Sequence, residues 1–373
     1  MSRSRKSKSR QWRPSYFNDT SRRSHRNRSS RRTGGKLALW ILIVILLLLS
    51  WAAFLLLRPA GSSSRQEYYA YVTDTTSGEA LMTSIAQELE VKNPALLRSV
   101  ARVIRLDSKL RPGRYRLTPK MSLLSICKKI AYEAQDPVKL AFSSIRTQEE
   151  LIDKLTEPLA MTAEELRTLL RDSVYCDSLG FTTETVRCMF LPDTHEVYWT
   201  TTPRELLHKY EQSYHKFWDK RRTALAQEMG LTPVEVSIIA SIVEEESSKT
   251  DEYGDIAGLY INRLHKGMPL QADPTLKFAS GNFTAQRIGG ELLKTDSPYN
   301  TYRYKGLPPG PIRYPQMTTI DAVLHRKPHD YLYMCARADF SGYHAFATTY
   351  AEHMRNAKAY QKALDERGIT RSS

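Results

Sequence analysis

The sequence predicts an α+β protein: one N-terminal apolar helix, a small α+β module, and a larger, mainly helical domain with short strands and ordered loops. Three observations predict this. Leu37 to Leu57 is a charge-free run of 21 residues, and short strand-like and helix-like patterns alternate through residues 67–135. Beyond them the spacing is helical until about residue 268, after which Pro, Gly, Tyr and Asn dominate. The expected segments are a tail over 1–36, a membrane helix over 37–57, a linker over 58–66, the module over 67–135 and the main domain over 136–373.

The tail and the apolar run belong together. The net charge of the chain is +15, and residues 1–36 hold 13 Lys/Arg against the single acid Asp19, a net of +12. The other 337 residues therefore carry only +3 (15 − 12). The tail is rich in Arg and Ser and poor in aliphatics, so disorder is expected. At about 1.5 Å per residue the apolar run matches the roughly 30 Å hydrocarbon layer of a bilayer. A cleaved signal peptide would have a shorter apolar stretch and a small-residue cleavage site, whereas Arg58-Pro59 follows here. Basic residues stay cytoplasmic, which places the N-terminus inside and residues 58–373 across the inner membrane. In that compartment nucleic acid is not expected as a partner.

Within the module, Tyr68 to Val72 reads as a strand, Gly78 to Leu89 and NPALLRSVARVIR as helices, RPGRYRLTP as extended chain and Met121 to Ile130 as a last helix. Gly113 between basic-aromatic segments suggests a hairpin. The main domain opens with RTQEELIDKLTEPL and TAEELRTLLRD, followed by one long amphipathic run from Pro203 to Gly230. Cys176 and Cys188 are close enough in sequence to pair in an oxidising exterior, or equally to remain buried thiols. No cysteine or histidine spacing fits a metal site, and no phosphate or dinucleotide fingerprint is present, so no metal and no cofactor are expected.

Residues 241–249, SIVEEESSK, raise the question of a catalytic acid, the alternative being a helix that ends near residue 245 and leaves Glu246 on the surface. Thr232-Pro233-Val234-Glu235 has the residues of a capping box with Pro in the first turn, so a helix should begin there. At about 100° per residue, with Ile239 at zero, Glu246 falls near −20°, in the apolar stripe of Val236, Ile242 and Val243. Glu244 and Glu245 fall near 140° and 240°, toward solvent. A carboxyl on the apolar stripe is desolvated, which raises its pKa toward that of a general acid at neutral pH.

ASIVEEES, then INRL at 261–264, GMPLQADPT at 267–275, SPYNTYRYKGLPPGPI at 297–312, DYLYM at 330–334 and HAF at 344–346 resemble the endolytic murein transglycosylases of the YceG-like family. The resemblance implies a LysM-like module over 67–135 and a catalytic domain over 136–373. It also implies peptidoglycan glycan strands as substrate and peptidoglycan synthases as partners. It maps the catalytic acid onto Glu246, the residue that the helical phase selects. A single acid then protonates the bridging oxygen between N-acetylmuramic acid and N-acetylglucosamine and afterwards deprotonates the muramyl 6-hydroxyl, giving a 1,6-anhydro end. Sugar-binding residue types nearby are Gln271, Asp273, Asn300 and Tyr302, with Tyr304 beside them. Departures from the family pattern are Ser247 for Thr, Ala272 for a hydroxyl residue, Tyr314 and Met354 for Asn, and His195 for Tyr. The competing reading is a membrane-tethered, non-catalytic wall-binding scaffold, which would need no cleft at Glu246.

Overall fold

The structure, a computed structural model, describes residues 30–64, 66–284, 290 and 292–367. The expected disorder of the tail falls, over residues 1–29, outside the described residues. Residues 30–36 are helical instead: α1 runs Ser30–Leu57. Backbone hydrogen bonding thus extends the apolar helix upstream of Leu37. Its Gly35–Leu57 portion, in which an 18-residue window reaches a mean hydropathy of 2.9 and holds no buried residue, is long and apolar enough to cross a membrane.

The unit from Ala60 onward is compact in its own right. It opens with β1 (Tyr68–Val72), α2 (Gly78–Glu88), α3 (Pro94–Val103), β2 (Gly113–Leu117) and α4 (Leu123–Tyr132). β1 and β2 pair antiparallel with Tyr68 opposite Leu117 and Val72 opposite Gly113. The hairpin expected at Gly113 is therefore a pairing across two intervening helices. Gly113 serves a different need, because a Cβ there would stand 2.8 Å from the Gln135 Cβ.

Next come β3 (Val138–Ala141), α5 (Gln148–Thr156), α6 (Ala163–Arg171), α7 (Ser173–Ser178), β4 (Thr194–Val197), α8 (Pro203–Phe217) and α9 (Lys220–Glu228). β3 and β4 pair antiparallel. The long run from Pro203 is broken in two because Asp219 caps a new helix, its side chain accepting from the Arg222 N–H. His195 is buried edge-on to Tyr210 at 4.6 Å, and Tyr314 is buried under the Arg187 guanidinium. Both departures from the expected pattern therefore lie in the core. All four cysteines are free thiols, so Cys176 and Cys188 are not paired; burial pushes Cys188 up to about 12.

The remaining elements build the site: α10 (Pro233–Glu246), α11 (Tyr253–His265), α12 (Asp273–Ser280), α13 (Met317–Leu324), β5 (Tyr333–Ala336), β6 (His344–Ala347) and α14 (Tyr350–Glu366). The capping box read from Thr232 and Glu235 forms as expected, with Pro233 in the first turn. Sequence reading expected loops and short strands after residue 268, and the structure adds the helices α12, α13 and α14 there. α10 is the central helix, packed against α11, α12 and α13. Every residue from Val236 to Val243 is buried, the serines included.

Candidate active site

That central placement corrects the expectation for the glutamates. α10 is buried from Val236 to Val243, and Glu244 and Glu245, half-buried at its end, are bound by arginines rather than left to water. The Glu244 side chain is 8% exposed and pairs with Arg313 at 3.0 Å. It also accepts from the Gln316 N–H at 2.8 Å and the Thr319 hydroxyl at 2.6 Å. Glu245 binds both Arg313 and Arg146, each at 2.8 Å. The Gly-Pro segment before Arg313 delivers this cation: the Ser241 hydroxyl accepts from the Ile312 N–H at 3.0 Å.

What distinguishes Glu246 is the absence of such a partner. Its Oε2 is sealed from solvent and makes no hydrogen bond. Burial, with the negative charge of Asp273 adding to it, raises its carboxyl to about 7. The Tyr260 hydroxyl and the Lys277 charge pull the other way and do not cancel the rise. Glu246 is also the last residue of α10, where the helix dipole opposes a negative charge.

The carboxyl opens onto a cavity of about 360 Å³. Tyr260 and Arg263, three apart on one face of α11, form one side. Gln271 and Asp273, Tyr302 from the following loop, the β5 strand, His344 and His353 complete it. Gln271 holds a left-handed backbone, φ 53°, with its N–H donated to the Thr301 carbonyl at 3.1 Å. A non-glycine residue there stores of the order of 1 kcal/mol, a cost often found where a side chain must be aimed. The Tyr302 hydroxyl donates to Asp273, the first residue of α12. Arg263 is 7% exposed and pairs with no carboxylate among the described residues; it donates to the Leu332 carbonyl at 2.6 Å and the Leu270 carbonyl at 2.7 Å. It thereby ties the β5 side of the cavity to the Gln271 loop.

Of the residues expected from sequence, Glu246, Gln271, Asp273 and Tyr302 converge on this cavity. Asn300 does not. It is fully buried, its amide donates to the Leu293 and Thr295 carbonyls at 3.1 and 2.8 Å, and its oxygen accepts from the Tyr302 N–H. Asn300 holds the loop that presents Tyr302. Tyr304 is exposed and bonds Asp296 outside the cavity. Ala272 is the N-cap of α12 and supplies no side-chain cap, which locates the missing hydroxyl at a helix start. Sequence reasoning missed Tyr260, Arg263, Tyr333, His344 and His353 as cavity residues. The signal was present for the first four, which lie in or beside the INRL, DYLYM and HAF motifs.

A larger cleft, about 680 Å³, lies elsewhere, lined by Gln135, Glu196, Tyr198, Thr200 and Lys209 among others. No buried unpartnered carboxyl lines it among the described residues. The buried carboxyl without a partner is at Glu246.

Comparison with known proteins bears on this geometry. A family model described as the YceG-like family matches residues 70–359. Over 129 residues the chain is 40% identical to the endolytic murein transglycosylase of Bacillus subtilis, covering 35% of this chain and 35% of that one. It is 35% identical over 130 residues to the protein of that name from Streptococcus pneumoniae, covering 34% of this chain and 23% of the relative. The chain thus spans about a third of the first relative's length and about a quarter of the second's. A crystal structure of a YceG-like protein from Listeria monocytogenes superposes with a TM-score of 0.53 at 22% identity, covering 78% of this chain and 99% of that one. At that identity the likeness concerns the fold.

Proposed function

This chain belongs to the YceG-like family, and from that premise we propose that it is a membrane-anchored endolytic lytic transglycosylase acting on peptidoglycan, with Glu246 as its acid. The carrying observation is a carboxyl at about 7 whose Oε2 has no partner, facing a cavity of about 360 Å³. At neutral pH a large fraction of that carboxyl holds its proton, the condition for general-acid catalysis. Arg313 and Arg146 pair with the neighbouring Glu244 and Glu245, whereas burial raises Glu246.

The proposed cut is at the bond between N-acetylmuramic acid and N-acetylglucosamine. Glu246 protonates the bridging oxygen as the bond to the muramyl C1 breaks. The substrate's own 6-hydroxyl then closes onto C1, so no water and no second carboxylate nucleophile are required. Gln271 and the aromatic faces of Tyr302 and Tyr333 suit N-acetyl groups and sugar C–H faces. A non-catalytic scaffold would have filled the space around Glu246, so the cavity favours an enzyme.

The apolar Gly35–Leu57 helix supports a single-pass anchor. The basic tail supports an N-terminus in the cytoplasm and a catalytic domain (136–373) across the inner membrane. The module over 67–135 is proposed to be LysM-like and to hold glycan, with peptidoglycan synthases as neighbours in the wall-building machinery. The deciding experiment incubates the full-length chain in detergent with purified peptidoglycan and analyses the fragments by mass spectrometry. Internal cuts ending in 1,6-anhydromuramyl residues are expected. Ordinary reducing ends, or no fragments, would overturn the proposal.

A further inference from the structure

The cavity holds a cation that the acid chemistry does not use. Arg263 is 7% exposed, and the carboxylates around it are engaged elsewhere. Asp273 accepts from the Tyr302 hydroxyl. Glu252, in the short turn Thr250–Glu252 after α10, accepts from the His344 backbone N–H at 2.7 Å, and its other oxygen lies 3.0 Å from His344 Nδ1. Arg263 is left with neutral acceptors. Its Nε donates to the Leu332 carbonyl, and its Nη1 to the Pro269 and Leu270 carbonyls and, at 3.4 Å, to Gln271 Oε1. Nη2 makes no hydrogen bond among the described residues, and it is not sealed in the core as Nε of Arg187 and Nε of Arg313 are. That edge of the guanidinium is open to the cavity.

A tie between neutral carbonyls needs donors, not a charge, and burying a cation without an anion costs free energy. Arg187 is also buried, but it lies over the Phe278 and Tyr314 rings and does not line this cavity. Gln271 completes the pattern. Its Oε1 faces Arg263, which turns its amide N–H groups outward, beside Nη2. A charged donor next to a neutral one is a seat for a carboxylate. The seat is also close to the acid: Arg263 follows Tyr260 by three residues on α11, about 5–6 Å between Cβ atoms, and the Tyr260 hydroxyl acts on Glu246.

In the repeating disaccharide of peptidoglycan only N-acetylmuramic acid bears a carboxyl, the 3-O-lactyl group, two ring carbons from C1. Resting on the transglycosylase reading above, we propose that Arg263, with Gln271, binds the lactyl carboxyl of the muramyl residue whose C1 bond is cut. The pair sets the register of the strand. A glucosaminyl residue in the same place brings no anion and leaves the buried cation unanswered, so the strand seats with a muramyl C1 at Glu246. Where a stem peptide is attached the lactyl group is an amide, which offers the same donors a neutral carbonyl. Peptide-free strands are therefore held more tightly.

The test compares two substrates for the full-length chain in detergent: peptide-free glycan strands, and the same strands with the lactyl carboxyl capped as a neutral methylamide. Neither contains the carboxylates of a stem peptide. The native chain is expected to show a KM about 5–10-fold higher for the capped strands, with kcat within about 2-fold, because the group binds without reacting. Arg263→Gln should raise KM for the uncapped strands and bring the two values together. Arg263→Lys keeps the charge without the planar fork and should retain part of the preference. Each ratio is taken within one protein, so a smaller folded fraction in a variant cancels. Equal KM values in the native chain would overturn the proposal without any variant, and so would an Arg263→Gln chain that keeps the native ratio. If the native chain releases no anhydro ends from either substrate, the transglycosylase reading fails and this inference with it. If it releases them with equal KM values, only the role of Arg263 is misassigned.

Discussion

Glu246→Gln probes the proposed acid through folding as well as through turnover. The carboxyl stands at about 7 against an ordinary 4.5, a gap of about 2.5 (7 − 4.5). At about 1.4 kcal/mol per pH unit, and allowing for water in the cavity, the ionised form is roughly 2–3 kcal/mol less favourable in the fold than in the open chain. Because the folded value is the higher, the native protein keeps a proton that the unfolded chain has already lost. Its contribution is complete below about pH 4.5 and disappears as pH rises through about 7. The Gln variant has no proton to lose and lacks this dependence. Its melting temperature, relative to the native chain, should therefore climb by about 5 °C or more between pH 5 and pH 8. All other titrating groups are common to both proteins and cancel in the difference. Calorimetry at the two pH values measures it directly, while turnover should fall by about 10²–10⁴-fold. A melting difference independent of pH would refute the reasoning that burial, uncompensated by a cation, sets this carboxyl.

Other substitutions separate the surrounding roles. Glu244→Gln should cost about 3 kcal/mol of stability, by leaving Arg313 short of charge in a site 11% exposed, yet leave per-molecule turnover of the folded protein largely intact. Asp273→Asn removes a charge that raises Glu246, so the alkaline fall in activity should move to lower pH by up to about 1 unit. Tyr260→Phe removes a hydroxyl that favours the ionised form, so the same limb should move to higher pH; a pH–rate series on both variants checks the opposite signs. Gln271→Gly relieves a left-handed backbone and should gain about 1 kcal/mol in thermal unfolding, while KM rises from loss of the side chain.

The local signals in the sequence were strong where the physics is local. Thr232, Pro233 and Glu235 specify a helix start by contacts within four residues, and the structure forms it. The 3.6-residue period carried that helix to Glu246 and placed it on an apolar stripe. The same period misjudged Glu244 and Glu245, because periodicity assumes one wet face and α10 is buried all round from Val236 to Val243. Their compensation comes from Arg313, 68 and more residues away, which no helical phase could reveal. The role of Asn300 was hidden for a similar reason. An asparagine whose amide is spent on loop carbonyls and one that holds an N-acetyl group are the same letter. Glu252 and His344 lie 92 residues apart, and only the β5–β6 hairpin brings them together.

That separation has a consequence for the order in which the protein is made. Glu246 belongs to α10, but one wall of its cavity comes from residues 333–353. At about 5–20 residues per second, synthesis leaves an interval of roughly 5–20 s between the emergence of Glu246 and of His344. During that interval the nascent domain has the Glu246 carboxyl without the wall that encloses it. The cavity is thus completed among the last-made parts of the chain, and a chain stalled before β6 lacks that wall.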